Sequence, residues 1–90
     1  MDIAEIIELH PDDDAWFLFV GMVNELVPHR IKDHQRRGQA TFNSVYQLRP
    51  DLADAVRTTK NDPFYRDERL RDFWQEVARL WAASKTKSQD

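Results

Sequence analysis

The sequence contains no cysteine, only two glycines and only four prolines in 90 residues. Without cysteine, no disulfide can stabilise the fold and no thiolate can bind zinc. The absence also suits a reducing compartment, and we expect a cytoplasmic protein. Few helix-breaking residues, no alternation of β-branched residues and no Asn-Gly turn together favour long helices over strands.

Long hydrophobic runs are missing as well. The longest run, residues 15–23, is much shorter than the roughly 20 apolar residues that span a bilayer. The first five residues carry two carboxylates, whereas an export signal begins with positive charge. We therefore expect neither a membrane-spanning segment nor an export signal.

Motifs for catalysis are also absent. The sequence has no Gly-x-Ser-x-Gly, no P-loop and no dinucleotide-binding glycine pattern. The run Asp12-Asp13-Asp14 lacks the spacing, the glycine and the final glutamate of a calcium loop. His29 and His34 are five residues apart, which does not place them on one helix face. We predict a non-catalytic protein that needs no metal or cofactor.

Aromatic residues are plentiful, with three Trp, five Phe and two Tyr. Because each large ring buries roughly 150–250 Å² on folding, these residues can supply the core of a small domain. The length suits one domain, and no linker or repeat divides it. We predict an all-α fold over residues 1–83, a compact bundle of four or five helices, with a flexible tail at 84–90.

Capping and breaking residues indicate where the helices begin and end. Residues 6–9 are predicted as a first helical turn rather than a strand. The run Asp12-Asp13-Asp14 is predicted to begin a helix, because Asp is a strong N-cap, and this helix is expected to run from about Asp13 to Val27, before Pro28. Residues 28–38 form either a helical turn or a loop. A helix over residues 39–48 follows.

Pro50 suits the first position of another helix, and the turn formers in residues 58–63 predict a loop after it. The last helix has the clearest periodicity, and its apolar face contains Leu70, Phe73, Trp74, Val77 and Trp81. We expect Asp67 to be its N-cap, Trp74 to lie in the core, and the helix to end near Ala83.

The predicted helix over residues 13–27 is apolar on more than one face. Phe17, Leu18 and Met22 lie outside its main apolar stripe and widen it. Such a helix is either central to a fold or part of an oligomer interface. A chain of 90 residues can hardly surround a helix completely, which leaves a homodimer through Phe17 and Met22 open.

Charge is unevenly distributed along the chain. Residues 1–29 hold seven carboxylates and no lysine or arginine, whereas residues 30–71 hold ten basic and six acidic residues. The two segments either pair with each other or face a charged partner. A candidate phosphate-binding face comprises Arg30, Lys32, Arg36, Arg37, Arg66, Arg69 and Arg71. The overall charge of −3 and the lack of interleaved aromatics argue against it.

Phe64 and Tyr65 lie in the loop before the last helix. They either fill the junction between helices or protrude to bind a partner, because exposed aromatic residues often dominate interface energies.

Several short motifs occur in a recognisable order: Arg37-Gly38-Gln39, Phe42-Asn43, Arg49-Pro50-Asp51-Leu52-Ala53 and Asp62-Pro63-Phe64-Tyr65. This order resembles a family of small uncharacterised proteins of bacteria and their phages, over about residues 36–74. The resemblance implies a bacterial or phage setting but no activity. We predict an interaction domain that regulates a bacterial protein by binding it. The alternative is a nucleic-acid-associated regulator that uses the basic residues.

Overall fold

The computed structural model of the protein describes the backbone of residues 1–88 and the side chains of residues 1–84. In this part of the chain five α-helices and one 3-10 turn occur, without a strand: α1 (Ile3–Ile7), α2 (Asp14–Lys32), α3 (Arg37–Leu48), α4 (Pro50–Val56), the 3-10 turn (Asp67–Arg69) and α5 (Leu70–Ser88). The predicted all-α bundle is confirmed.

Aspartates begin the first two helices. The Asp2 carboxylate accepts a hydrogen bond from the backbone N–H of Glu5, and the Glu5 carboxylate accepts one from Asp2 in return, which is a capping box. The Asp13 carboxylate accepts from the backbone N–H of Trp16 at 3.1 Å. These caps satisfy donors that have no partner inside the helix. The predicted start of α2 within the aspartate run is confirmed. Residues 6–9 are helical rather than extended only in part, because α1 ends at Ile7.

The predicted end of α2 at Val27 is wrong, because the helix continues through Pro28 to Lys32. A proline inside a helix costs about 3 kcal/mol, since it removes a backbone donor and crowds the preceding turn. Contacts made after Pro28 offset part of this cost. The half-buried Arg30 donates a hydrogen bond to the Gln47 side chain, so the last turn of α2 is attached to α3.

Asp67 does not cap the last helix as predicted. α5 begins at Leu70, after the 3-10 turn, and the Asp67 carboxylate accepts instead from the backbone N–H of Gly38 at 2.8 Å. Gly38 lies in the first turn of α3, where Arg36 at the N-cap position makes no side-chain cap. Asp67 thus satisfies an end donor of a helix that is distant in sequence.

The end predicted for the last helix at Ala83 is also wrong, because α5 continues to Ser88. A helix that has lost its apolar pattern can still propagate, since each added residue closes another backbone hydrogen bond. Residues 89–90 of the predicted tail lie outside the described residues.

The core is built around tryptophan. Trp16 from α2 contacts the rings of Trp74 and Trp81 from α5, with centroids 6.1 and 5.3 Å away. Phe19 contacts both of the α5 tryptophans as well. The indole N–H of Trp16 donates to the Ile6 carbonyl, and that of Trp81 donates to the Asp13 carboxylate, each at 2.9 Å. α1, α2 and α5 are therefore joined at one place.

Neighbouring helices pack in sequence order, with α1 on α2, α2 on α3, α3 on α4 and α4 on α5. The radius of gyration of 12.4 Å matches the roughly 12 Å expected for a compact domain of this length. Among the residues described, no helix has both the length and the apolar character needed to cross a membrane.

The acidic and basic segments are mostly not paired with each other. Within residues 1–84, the Arg71–Glu5 pair at 3.6 Å is the only salt bridge that joins them. The other salt bridges connect residues two or three positions apart. The two segments are thus largely open to solvent, where isolated ion pairs contribute about 0–1 kcal/mol.

Replacement of Trp74 tests the tryptophan core. The side chain is buried against Trp16, Phe19 and Phe73. We expect Trp74→Ala to lower the free energy of unfolding by about 3–5 kcal/mol, measured by urea denaturation, because it leaves a large cavity. The exposed neighbour Gln75→Ala is the control and should change it by no more than about 0.5 kcal/mol. An unchanged urea midpoint in Trp74→Ala would contradict this core assignment.

Candidate protein-interaction site

Residues 58–66 connect α4 to the 3-10 turn, and we call them the aromatic loop. Pro63 is fully buried, and Phe64 is half-buried with its ring edge-on to Phe42 at 5.8 Å. Phe64 therefore fills the junction between helices, which was one of its two predicted roles. The middle of the loop is attached to the core.

Asp62 fixes the shape of the aromatic loop. One carboxylate oxygen accepts from the backbone N–H of Thr58 at 2.7 Å and the other from that of Phe64 at 2.9 Å. Thr58 has a φ of 62°, in the left-handed region that a β-branched residue rarely adopts. Such a conformation persists only where its surroundings hold it, and the Asp62 carboxylate does so here.

α3 holds the aromatic loop from the other side. The Arg36 guanidinium donates to the carbonyl of Phe64, and Gly38 is bonded to Asp67 just after the loop. A Cβ atom at Gly38 would lie only 2.3 Å from the Pro63 carbonyl oxygen. This close approach of two backbones requires glycine at position 38.

Tyr65 protrudes from this fixed loop and is 80% exposed. Its ring contacts that of Phe64, edge-on at 4.9 Å, and among residues 1–84 no hydrogen bond of its hydroxyl is observed. Ring contacts continue inward from Phe64 to Phe42, to Phe73 and to Trp74. An unbroken series of aromatic rings thus connects the tryptophan core to an exposed tyrosine.

The seven basic residues proposed from the sequence do not form one surface. Arg36 and Arg66 lie beside Tyr65, and Arg66 pairs with Glu68 at 3.3 Å. Arg30 is half-buried against α3, and Lys32 ends α2. Glu68 introduces negative charge beside the loop, so this region is mixed in sign.

Arg37 and Arg71 lie on the rim of a groove of about 480 Å³, whose floor is formed by Ile6, Val20, Val23, Val27 and Trp74. Asp2, Asp67 and Glu68 share the rim with the two arginines. Arg69 lies on another part of the surface, in a depression it shares with Lys60 and three carboxylates. The sequence did not predict the groove, because its walls come from helices far apart in the chain.

A second apolar surface lies on α2. Phe17, Leu18 and Met22 are 56%, 62% and 50% exposed, on the side of the helix away from its buried residues. Together with Gly21, which lies among them, we call these residues the outer patch. Phe17 and Met22 were candidate binding residues, whereas Leu18 was not. The predicted residues thus form two surfaces, one on α2 and one on the aromatic loop.

Three carboxylates have pKa values that are lowered by hydrogen bonds. The pKa values of Asp51 and Glu76 lie below the usual range because Arg49 and Arg79, respectively, donate hydrogen bonds to these carboxylates. The pKa of Glu68 is lowered chiefly by its own backbone N–H. No cluster of three metal-ligating side chains occurs among the described residues. These pKa shifts are typical of exposed ion pairs and of carboxylates that accept backbone hydrogen bonds.

Comparison of the chain with protein-family models, with curated proteins and with solved structures finds no match. The resemblance to a bacterial and phage family therefore stays a prediction. The outer patch and the aromatic loop are therefore the features that indicate a function.

The two glycines provide a matched test of how the loop is held. Gly38→Ala should lower the free energy of unfolding by about 1–3 kcal/mol, because the added methyl group collides with Pro63. Gly21→Ala should raise it by about 0.5–1 kcal/mol, since no atom lies within 4 Å of the added Cβ and alanine favours helix. Chemical denaturation at low protein concentration measures both. A Gly38→Ala protein at least as stable as the wild type would contradict the backbone contact between α3 and the loop.

Proposed function

We propose that this protein is a non-catalytic interaction domain that binds another protein through Tyr65. One observation carries the proposal: an 80% exposed tyrosine at the tip of a loop that is fixed on both sides. Tyrosine is enriched among the residues that dominate protein–protein binding energies. A fixed loop also loses little conformational freedom on binding.

The neighbours of Tyr65 have roles inside the domain, whereas its own ring has almost none. Asp62 shapes the loop, Phe64 packs on α3, and Gly38 allows the backbones to approach. Removal of the Tyr65 ring would cost the fold only its edge contact with Phe64. A large aromatic ring in solvent with so little structural use is best explained by a partner that covers it.

The surroundings of Tyr65 indicate what such a partner offers. The ring requires an apolar cleft, and the phenol hydroxyl requires a polar group at the end of that cleft. Arg66 is exposed beside the ring and can contact a carboxylate at the rim. The resemblance in sequence implies a bacterial or phage setting, so we propose a bacterial protein as the partner and regulation of that protein by binding.

Capture from bacterial lysate tests the proposal. The tagged protein is incubated with nuclease-treated lysate and washed at high salt, next to the Tyr65→Ala variant. The control is Tyr46→Ala, which removes the other tyrosine, located on α3 beside Arg57. We expect a discrete protein band with the wild type and with Tyr46→Ala, reduced at least about tenfold with Tyr65→Ala, as for a hot-spot residue. Equal capture by all three proteins would contradict the role of Tyr65.

One observation favours the nucleic-acid alternative. The structure places Tyr65 beside Arg36 and Arg66, which gives the combination of an exposed ring and cations that stacks on single-stranded bases. The acidic groups nearby, Asp67 and Glu68, oppose such binding through charge repulsion.

Fluorescence anisotropy with a labelled single-stranded oligonucleotide separates the two functions. Under the protein-interaction proposal we expect no binding at about 10 µM protein and physiological salt, where non-specific nucleic-acid complexes have dissociation constants of about 1–100 µM. Binding that weakens steeply with added salt, and is lost in Arg66→Ala as well as Tyr65→Ala, would instead establish the alternative.

A further inference from the structure

We propose that the outer patch of α2 is the interface of a homodimer, in which the α2 helices of two copies cross antiparallel near Gly21. This interface is separate from the Tyr65 surface and does not depend on it. Three features of α2 support the proposal: its central glycine, its exposed apolar side chains and the charges at its two ends.

Gly21 has no role inside the single chain. It lies in the middle of a 19-residue helix, where glycine is the least favourable residue after proline. A Cβ atom at this position would meet no atom within 4 Å beyond the adjacent backbone of α2 itself. Gly38, in contrast, is required by the fold itself. A glycine on an outward helix face allows another helix to approach closely, because the distance between helix axes depends on the side chains at the contact.

The apolar side chains around Gly21 form a surface suited to such a contact. Phe17 precedes Gly21 by one turn, Leu18 precedes Met22 by one turn, and all three large side chains are at least half exposed. Glu25 follows one turn after Gly21 and limits the patch on its C-terminal side. Two such patches facing each other would remove their large side chains from water, which favours association.

The charges along the same face select an antiparallel arrangement. Asp14 and Lys32 begin and end α2, and they are 18 residues apart, which is five complete turns and therefore the same side of the helix. Within the described residues neither has a salt-bridge partner. His29 is exposed in the last turn as well.

An antiparallel crossing near Gly21 places Asp14 of one copy beside the last turn of the other, which carries His29 and Lys32. This arrangement occurs twice in a two-fold dimer. A parallel crossing would instead bring Asp14 of the two copies together. The antiparallel arrangement also sets the two helix dipoles in opposite directions, which is favourable. A membrane surface fits this face poorly, because helices that lie on membranes carry basic residues along their length.

The interface consists of little more than one helix pair, so it belongs to the small class and the association should be weak. Sedimentation velocity of the full chain, from about 1 to about 300 µM, should show a monomer that converts to a dimer in the micromolar range. Met22→Glu should remain monomeric throughout, whereas Ala55→Glu, which adds the same charge at an exposed site on α4, should dimerise as the wild type does.

Gly21→Ala is the most discriminating variant, because it should raise the stability of the folded chain and lower the affinity of the dimer. The variant should weaken dimerisation at least about tenfold while its melting temperature at low concentration rises. A wild type that stays monomeric up to 300 µM would overturn the proposal, and so would a dimer that Met22→Glu or Gly21→Ala leaves unchanged. Tyr65→Ala should dimerise normally, so failure of this proposal and failure of the proposed function give different results.

Because the sequence contains no cysteine, single introduced cysteines can show whether the two α2 helices cross antiparallel. Asp14→Cys and Lys32→Cys proteins, one of them carrying a mass tag, are mixed and treated with a short bis-maleimide. The antiparallel crossing should give mainly the mixed cross-linked dimer, and Ala55→Cys should give none above background. Cross-linking of Asp14→Cys mainly to itself would overturn the antiparallel arrangement. Circular dichroism of each variant confirms that it is folded.

Discussion

The buried indole of Trp16 holds the N-terminal half of the domain to its last helix. Its N–H donates to the Ile6 carbonyl, and its ring contacts both Trp74 and Trp81. α1 has only five residues and could not persist alone, because short isolated helices are unstable in water. Asp13 strengthens the same junction, since its carboxylate caps α2 and also accepts from the Trp81 indole. α3 packs along α2 and contacts α5 through Phe42 and Phe73, and α4 and the aromatic loop pack in turn on α3.

Much of this architecture follows from local sequence signals, and the exceptions have a common physical cause. The aspartate run before α2 and Pro50 as a first helical residue act within one turn, so the sequence predicts both helix starts correctly. The predictions that Pro28 ends α2 and that Asp67 caps the last helix were wrong, because contacts between distant residues outweigh the local preference of each residue. The exposed direction of Tyr65, unlike the packing of its neighbour Phe64, depends on how the loop is held by α3. That contact joins residues 28 positions apart, so no local sequence pattern encodes it.

The two proposed surfaces complement each other. The outer patch lies on α2, and Tyr65 is presented by a loop that is attached to α3. If both are used, a dimer presents two copies of the aromatic loop. Two weak contacts to a partner that is itself repeated or dimeric would then act together, because the second contact forms at a high effective concentration. This would let so small a domain bind firmly without a large interface.

Because the three tryptophans lie together, intrinsic tryptophan fluorescence reports on only one part of this protein. Trp16 touches both of the others, so the three indoles share one environment between α2 and α5. Intrinsic fluorescence therefore records when this junction opens and says little about the aromatic loop. Tyr65 emits weakly beside three indoles, so loosening of the loop would pass unseen. An emission spectrum that looks fully native is thus compatible with a binding surface that has already lost its shape.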